Sequence, residues 1–226
     1  MSHFYFEATR DFIVSTHEVA RMFRIVRSNP EYTDTVKKCA VILFMTKVES
    51  YIENLLEEFK TIITKNNVSP QSIPADIRVS ITTKLLEELQ QCREGSPKYH
   101  SSISTIISLW CQCSTVMVNF PLNTKFSYGK HGEKEIVKIF NRIGIDDIFE
   151  RCKISNNAQQ FFIGSSQFSI TSDFNSLIST RNNIVHTDSS LTSLTVNELK
   201  KRMKNIRQFI REIDSYVFRF HENVLK

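Results

Sequence analysis

The sequence predicts an all-α protein. Apolar residues recur at helical spacing along nearly its whole length, and residues that make tight turns are scarce. Five Gly and five Pro in 226 residues are too few for an all-β chain with many turns. The clearest single helix comes last: Thr195-Val196-Asn197-Glu198 has the form of a capping box. Behind it, Leu199, Met203, Ile206, Ile210, Ile213, Val217 and Phe220 alternate by four and three. That period predicts one narrow packing seam.

The other elements follow from the same reading. Phe12, Val19, Met22, Phe23 and Val26 mark a first amphipathic helix that stops before Pro30. A second runs from about Asp34 to Lys65. Its Cys39–Met45 stretch is apolar on every side and should pass through the centre of the fold. Pro74 opens a third helix carrying Ile77, Ile81, Leu85 and Leu89. The stretch Ser101–Thr124 has no charged residue, but its many Ser, Thr, Asn and Gln side chains do not suit a bilayer core. A buried helix over Ile103–Phe120 is expected. Ile136, Phe140 and Ile143 define another helix, closed by Gly144, and Ser155–Ser169 reads as a loop or short hairpin.

Composition bounds the function. Hydrophobic residues make up 41% and charged residues 23%, which suits one folded domain spanning 1–226. The segment MSHFYFEATRDF holds Glu7 and Asp11 and no long apolar run, so no secretory signal is expected. Five Cys show no disulfide spacing, and a cytoplasmic location with reduced thiols follows. Cys111-Gln112-Cys113 lacks a second ligand pair for zinc, and no metal or other cofactor is expected. The formal charge is +5. Residues 195–226 hold eight Lys or Arg against four Asp or Glu, so most of that excess lies on the last helix. Lys200, Lys204, Arg207 and Arg211 form a cationic stripe beside its seam. The stripe is either a solvated face or a grip on RNA backbone; its place directly after the motif described next favours the second.

Arg181-Asn182-Asn183-Ile184-Val185-His186 is the motif that carries chemistry. A guanidinium clamps phosphate through its planar fork of donors, and an imidazole moves protons near neutral pH. Five residues of ideal helix turn the chain by about 500°, so the two side-chain vectors diverge by about 140°. Sharing one small site requires a distorted helix, an Arg that curls back, or a second subunit.

The wider segment FNSLISTRNNIVHTD (Phe174–Asp188) resembles the signature of the HEPN superfamily, Arg-x(4–6)-His, often with Asn after the Arg. Two more stretches resemble its MAE-like or RiboL-PSP branch. They are CAVILFMTKVESYIENLLEEF (Cys39–Phe59), with its Glu closely followed by a Tyr, and NTKFSYGKHGEKEIVKIFNRIGI (Asn123–Ile145), with its Arg-x-Gly-Ile end. One departure is Thr187, where Gly often follows the His. The resemblance implies a HEPN-type bundle of about six to eight helices, an irregular backbone at the motif, and a homodimer with both motifs lining one cleft. It implies metal-independent cleavage of RNA by its own 2′-OH. His186 would transfer protons, Arg181 would stabilise the phosphorane, and Asn182 would orient the His or hold a phosphate oxygen. Glu49 would pair with a cationic motif residue, or else face solvent.

RNA is then the expected partner, with an antitoxin or another defence-system protein beside it, and no membrane. The function expected is an endoribonuclease of a toxin–antitoxin or anti-phage system. The alternative from another class is a non-catalytic RNA-binding or dimeric adaptor module.

Overall fold

The computed structural model describes residues 4–66, 68–111, 120–126, 132–152, 170–188, 190–191 and 194–222. Among these lie eight α-helices and no strand: α1 (Glu7–Ser28), α2 (Thr33–Lys65), α3 (Ala75–Gln90), α4 (Pro97–Trp110), α5 (Glu133–Asn141), α6 (Ile148–Arg151), α7 (Ile170–Thr187) and α8 (Val196–Phe220). Short 3-10 turns at Pro30–Tyr32 and Pro70–Ser72 precede α2 and α3. The loop or hairpin expected over Ser155–Ser169 lies outside the described residues, as do Gln112 and Cys113.

Four long helices form the frame. α2 packs on α1 and α7, and α8 closes the ring against both of these, leaving α1 and α7 on opposite corners. Cross-helix contacts fix the directions. Tyr51 meets Thr9, and Lys47 meets Glu18 at 3.0 Å, so α1 and α2 run antiparallel. Arg181 meets Glu49 while Asp188 meets Lys38, so α7 also opposes α2. The result is an up-down-up-down arrangement.

Aromatic side chains fill the middle. Phe12 contacts both Phe44 and Tyr51. Phe149 of α6, Phe174 of α7 and Phe209 of α8 form a triangle with centroids 5.2–5.7 Å apart. Each ring is buried and stabilises the fold by roughly 1.5–3 kcal/mol over its exposed state. α8 buries Phe209 and Asp214 as well as the expected seam, and it leaves Phe220 half exposed. The narrow seam is thus a broad face, because α8 packs on three helices rather than one.

Helix ends are held from a distance. α1 has no side-chain cap of its own. Asp214 of α8 accepts from the backbone N–H of Tyr5 and Phe6, and Glu58 of α2 accepts from those of Glu7 and Ala8. Four orphan donors next to a helix N-terminus are thereby met by two carboxylates. α8 has the complete capping box read from its sequence.

Two expectations change here. The uncharged stretch is not a buried helix over Ile103–Phe120: α4 ends at Trp110, and Cys111 is extended. Only Ser102 and Leu109 of α4 are buried, while Ile107 is 58% exposed. Phe120 precedes Pro121, which disfavours helical backbone at that residue. The central stretch of α2 buries Ala40, Val41, Phe44 and Met45, but Cys39 is exposed and Ile42 and Leu43 are half-buried. No described helix is long and apolar enough to cross a membrane.

His221, just past α8, is buried between Phe59 and Phe220. Burial pushes its pKa down to about 4, only partly offset by the Ile143 backbone. Its folded pKa lies below the unfolded one, so its contribution is full above pH ~6.5 and lost as pH falls toward 4. The loss amounts to about 3 kcal/mol. Urea unfolding of His221→Leu should show a flattened decline over that window, and a wild-type slope in the variant would refute the assignment.

Candidate functional site

The motif sits on the last two turns of α7, and the backbone there is regular. α7 stays α-helical through Thr187, which corrects the expected irregularity. Asp188 then takes the left-handed conformation, with φ 47°. The side chain of Thr187 donates to the Asn183 carbonyl within the helix.

What holds that turn comes from the start of α2. Lys38 donates to the Asp188 carboxylate at 2.8 Å and to its backbone carbonyl at 3.0 Å. The Asp188 hydrogen bond holds the Lys38 ammonium above its usual range. Asp34 accepts from the Leu191 N–H at 2.8 Å, and this bond keeps its carboxyl below the usual range. Lys37 is buried and donates to the carbonyls of Leu191 and Leu194. Neither Lys37 nor Lys38 was singled out from sequence. The one local signal was a Lys beside Val36 and Ala40 on an otherwise apolar face. Their partners lie about 150 residues away in the chain.

Arg181 lies in the groove between α2 and α7. Its Nη2 is 3.8 Å from Glu49 Oε2, with the two side chains 23% and 17% exposed. Glu49 is therefore not a solvent-facing residue. Arg181 Nη1 reaches the Asn182 side-chain oxygen at 3.5 Å. Its Nε is buried without a hydrogen-bond partner among the described residues. Buried donors are normally satisfied; this Nε is closed to a ligand, and the donors left to an acceptor are those on the exposed part of the side chain.

Asn182 and His186 are exposed and stand one helical turn apart, on the same face. Val185, 58% exposed, lies between them and the α2 groove. With the helix undistorted, the divergence of about 140° between Arg181 and His186 stands. Within one chain the imidazole looks outward while the guanidinium is drawn toward α2.

The stretch before α5 is tied to the same helix. Glu53, one turn beyond Glu49, accepts from Lys125 Nζ and from the Phe126 N–H. Glu57 accepts from the Thr124 hydroxyl. Arg142 donates to the carbonyls of Asn123 and Lys125 and lies 3.8 Å from Glu135. Burial holds its guanidinium below the usual arginine range, against the pull of Glu135. Gly144 has φ +74°, and a Cβ there would meet Ile77 of α3 at 3.3 Å. Arg142 and Gly144 thus tie a connecting segment and a turn to the frame.

The stretch that resembles the superfamily signature and the described parts of the two that resemble one branch of it meet along α2 and α7. The model of the RiboL-PSP-HEPN family matches residues 11–218. The chain belongs to that family. Neither a curated protein nor a solved structure matches it.

The cationic stripe lies elsewhere on this HEPN frame. Lys200 stacks over Phe23 of α1 at 5.4 Å, and Arg211 over Phe4 at 6.0 Å. Lys200, Lys204 and Arg207 line a cavity together with Thr16, Val19, Ala20 and Phe23 of α1. The stripe therefore borders the α1/α8 groove, whereas Arg181 faces the α2/α7 groove on the opposite side of the ring. Adjacency in sequence does not make one surface of the two. No group of three or more potential metal-ligating side chains gathers among the described residues.

The Arg181–Glu49 contact is partly exposed and lacks hydrogen-bond distance, so its coupling should be at most about 1 kcal/mol. A double-mutant cycle with Arg181→Gln and Glu49→Gln, read by urea unfolding, measures it. A coupling above about 2 kcal/mol would make this pair chiefly a strut of the fold.

Proposed function

We propose that this HEPN protein is a metal-independent endoribonuclease that acts as a homodimer. The observation that carries the reading is the placement of Arg181: its Nη2 lies 3.8 Å from Glu49, beyond hydrogen-bond distance, and its side chain stays 23% exposed. Guanidinium N–H groups on that exposed part can donate to a phosphate oxygen. Asn182 and His186 lie exposed beside Arg181, open to a polyanion.

In this reading the ribose 2′-OH attacks the adjacent phosphorus. His186 takes the 2′-OH proton, and the departing 5′-oxygen leaves protonated by a second imidazole. The products are a 2′,3′-cyclic phosphate and a free 5′-OH. Arg181 stabilises charge on the pentavalent phosphorus, and Asn182 holds a phosphate oxygen or orients the imidazole. DNA resists, because it lacks the nucleophile. Two imidazoles and two guanidiniums around one phosphate require a two-fold axis beside α7. The undistorted helix supports this requirement, since it removes one of the ways a single chain could close the site. Exposed Val185 and half-buried Ile42 and Leu43 supply apolar surface for that contact.

Family membership supports a role in a toxin–antitoxin or anti-phage system, where a partner protein or infection controls the activity. The second reading, a non-catalytic RNA-binding or adaptor module, is favoured by the ion pair that already occupies part of Arg181.

Purified protein should cleave RNA in the presence of a chelator. His186→Ala should lower the rate by about 10²-fold or more, and Arg181→Ala should do likewise, with folding retained. Cleavage that vanishes on chelation and returns with a divalent ion would overturn the mechanism. RNA binding without cleavage by the wild-type protein would favour the adaptor, and wild-type cleavage rates in both variants would remove these two residues from the mechanism.

Sedimentation should give roughly twice the 26.3 kDa chain mass at micromolar concentration. A mixture of the two inactive variants should regain part of the activity across the interface. A monomer that cleaves RNA would end the shared-cleft idea.

A further inference from the structure

The α1/α8 groove has a chemistry of its own. A cavity of about 130 Å³ opens there, floored by Val19, Phe23, Phe44 and Met203 and rimmed by Lys200, Lys204 and Arg207. No carboxylate lines it. None of Lys200, Lys204, Arg207 and Arg211 makes an ion pair among the described residues. Arg207 is half-buried, and burial, with the neighbouring Arg211 charge second, holds its guanidinium below the usual arginine range. A partly desolvated cation without a counter-charge costs stability until an anion arrives.

Size and polarity limit the occupant. An apolar cavity of about 150 Å³ holds one benzene ring, so this one suits a single Leu- or Phe-sized group. It is well below the roughly 300–1,000 Å³ of a site that takes a whole small ligand. The stripe runs on past the cavity to Arg211, about 16 Å from Lys200 along the helix. The complementary ligand is therefore extended over three helical turns, anionic at several points and apolar at one.

Single-stranded RNA meets the charge requirement but not the apolar one. Lys200 already lies over the Phe23 ring at 5.4 Å, so that face is not open for a base to stack on. A base pushed inside would leave its carbonyl edges against apolar walls, since the Thr16 hydroxyl already donates to Ile13 and has only its acceptor capacity left. A second copy of this chain through an isologous contact would bring the same cations face to face.

We propose that the α1/α8 groove is the docking site for an acidic amphipathic segment of a protein partner. One Leu or Phe of the segment fills the cavity, and Asp or Glu on the adjoining turns meets Lys200, Lys204, Arg207 and Arg211. The site lies across the ring from Arg181, so a partner bound here leaves the α2/α7 groove open. The inference does not depend on the nuclease reading.

Fluorescence anisotropy with the full chain tests it. The probes are labelled helical peptides of about 12 residues, enough for three turns, with Glu on the outer turns and a central Leu, Phe or Ile. Controls replace the anchor by Ser or the Glu residues by Lys, and an oligouridylate of matched charge forms a separate arm. The acidic anchored peptides should bind, and each control should bind about tenfold more weakly or not at all. Ala20→Phe plugs the mouth without changing charge, and Arg207→Gln removes a cation while leaving the cavity. Each should weaken binding about tenfold, with near-ultraviolet circular dichroism unchanged. His186→Ala should bind the peptide as wild type does, which separates this outcome from any failure of the nuclease reading. Absence of binding by every anchored peptide would overturn the proposal. So would peptide affinity unmoved by Ala20→Phe. So would oligouridylate binding that outcompetes the peptide and responds to Arg207→Gln alone, since the groove would then be a phosphate track.

Discussion

The structure depends on the polar edge of one long helix. α2 spans 33 residues, and its buried face fills the centre while its charged side chains reach α1, α7 and the stretches that follow α7 and precede α5. Asp34, Lys37 and Lys38 fasten the chain beyond α7. Glu49 approaches Arg181, Glu53 and Glu57 hold the segment before α5, and Glu58 caps α1. Several of these bonds join a charged group to backbone, a class worth more than a neutral hydrogen bond. A helix with only an apolar face would pack, but it would not fix where the motif stands along α7.

That registration separates the frame into two sides. The α2/α7 side carries a guanidinium with spare donor capacity and an outward imidazole. The α1/α8 side carries cations over an apolar hollow. The two are joined through the rigid core of Phe12, Phe44 and Tyr51 and the Phe149–Phe174–Phe209 triangle. A packed interior of this density transmits strain rather than absorbing it.

The sequence carried the frame well because its signals were local. Thr195 and Glu198 announced α8, Pro30 and Pro74 marked boundaries, and Gly144 marked the end of α5 with the left-handed turn found there. It carried the site less completely, because what positions the motif is remote. Nothing near Lys38 points to Asp188, and nothing near Glu53 points to Lys125. The surroundings of the stripe were equally remote: Lys200 follows His186 closely in sequence, yet it lies over Phe23 of α1. The uncharged stretch around Ile107 suggests burial by its composition, but lack of charge does not require burial. The expected irregularity at Arg181 came from variable spacing across a superfamily, which need not bend any one member's helix.

The capping of α1 bears on how the molecule comes to exist. Asp214 lies 208 and 209 residues from the amides it receives, so a contact between the first and last helices closes the ring. Long loops cost entropy before such a contact repays them. During synthesis at about 5–20 residues per second, the chain extends for on the order of ten seconds or more between α1 and α8. Throughout that interval Glu58 alone is there to meet the amides at the start of α1, those of Tyr5 and Phe6 wait for Asp214, and the α7 motif stands on an unfinished frame. Assembly of the motif's surroundings is therefore a late event in translation, governed by emergence of the last helix.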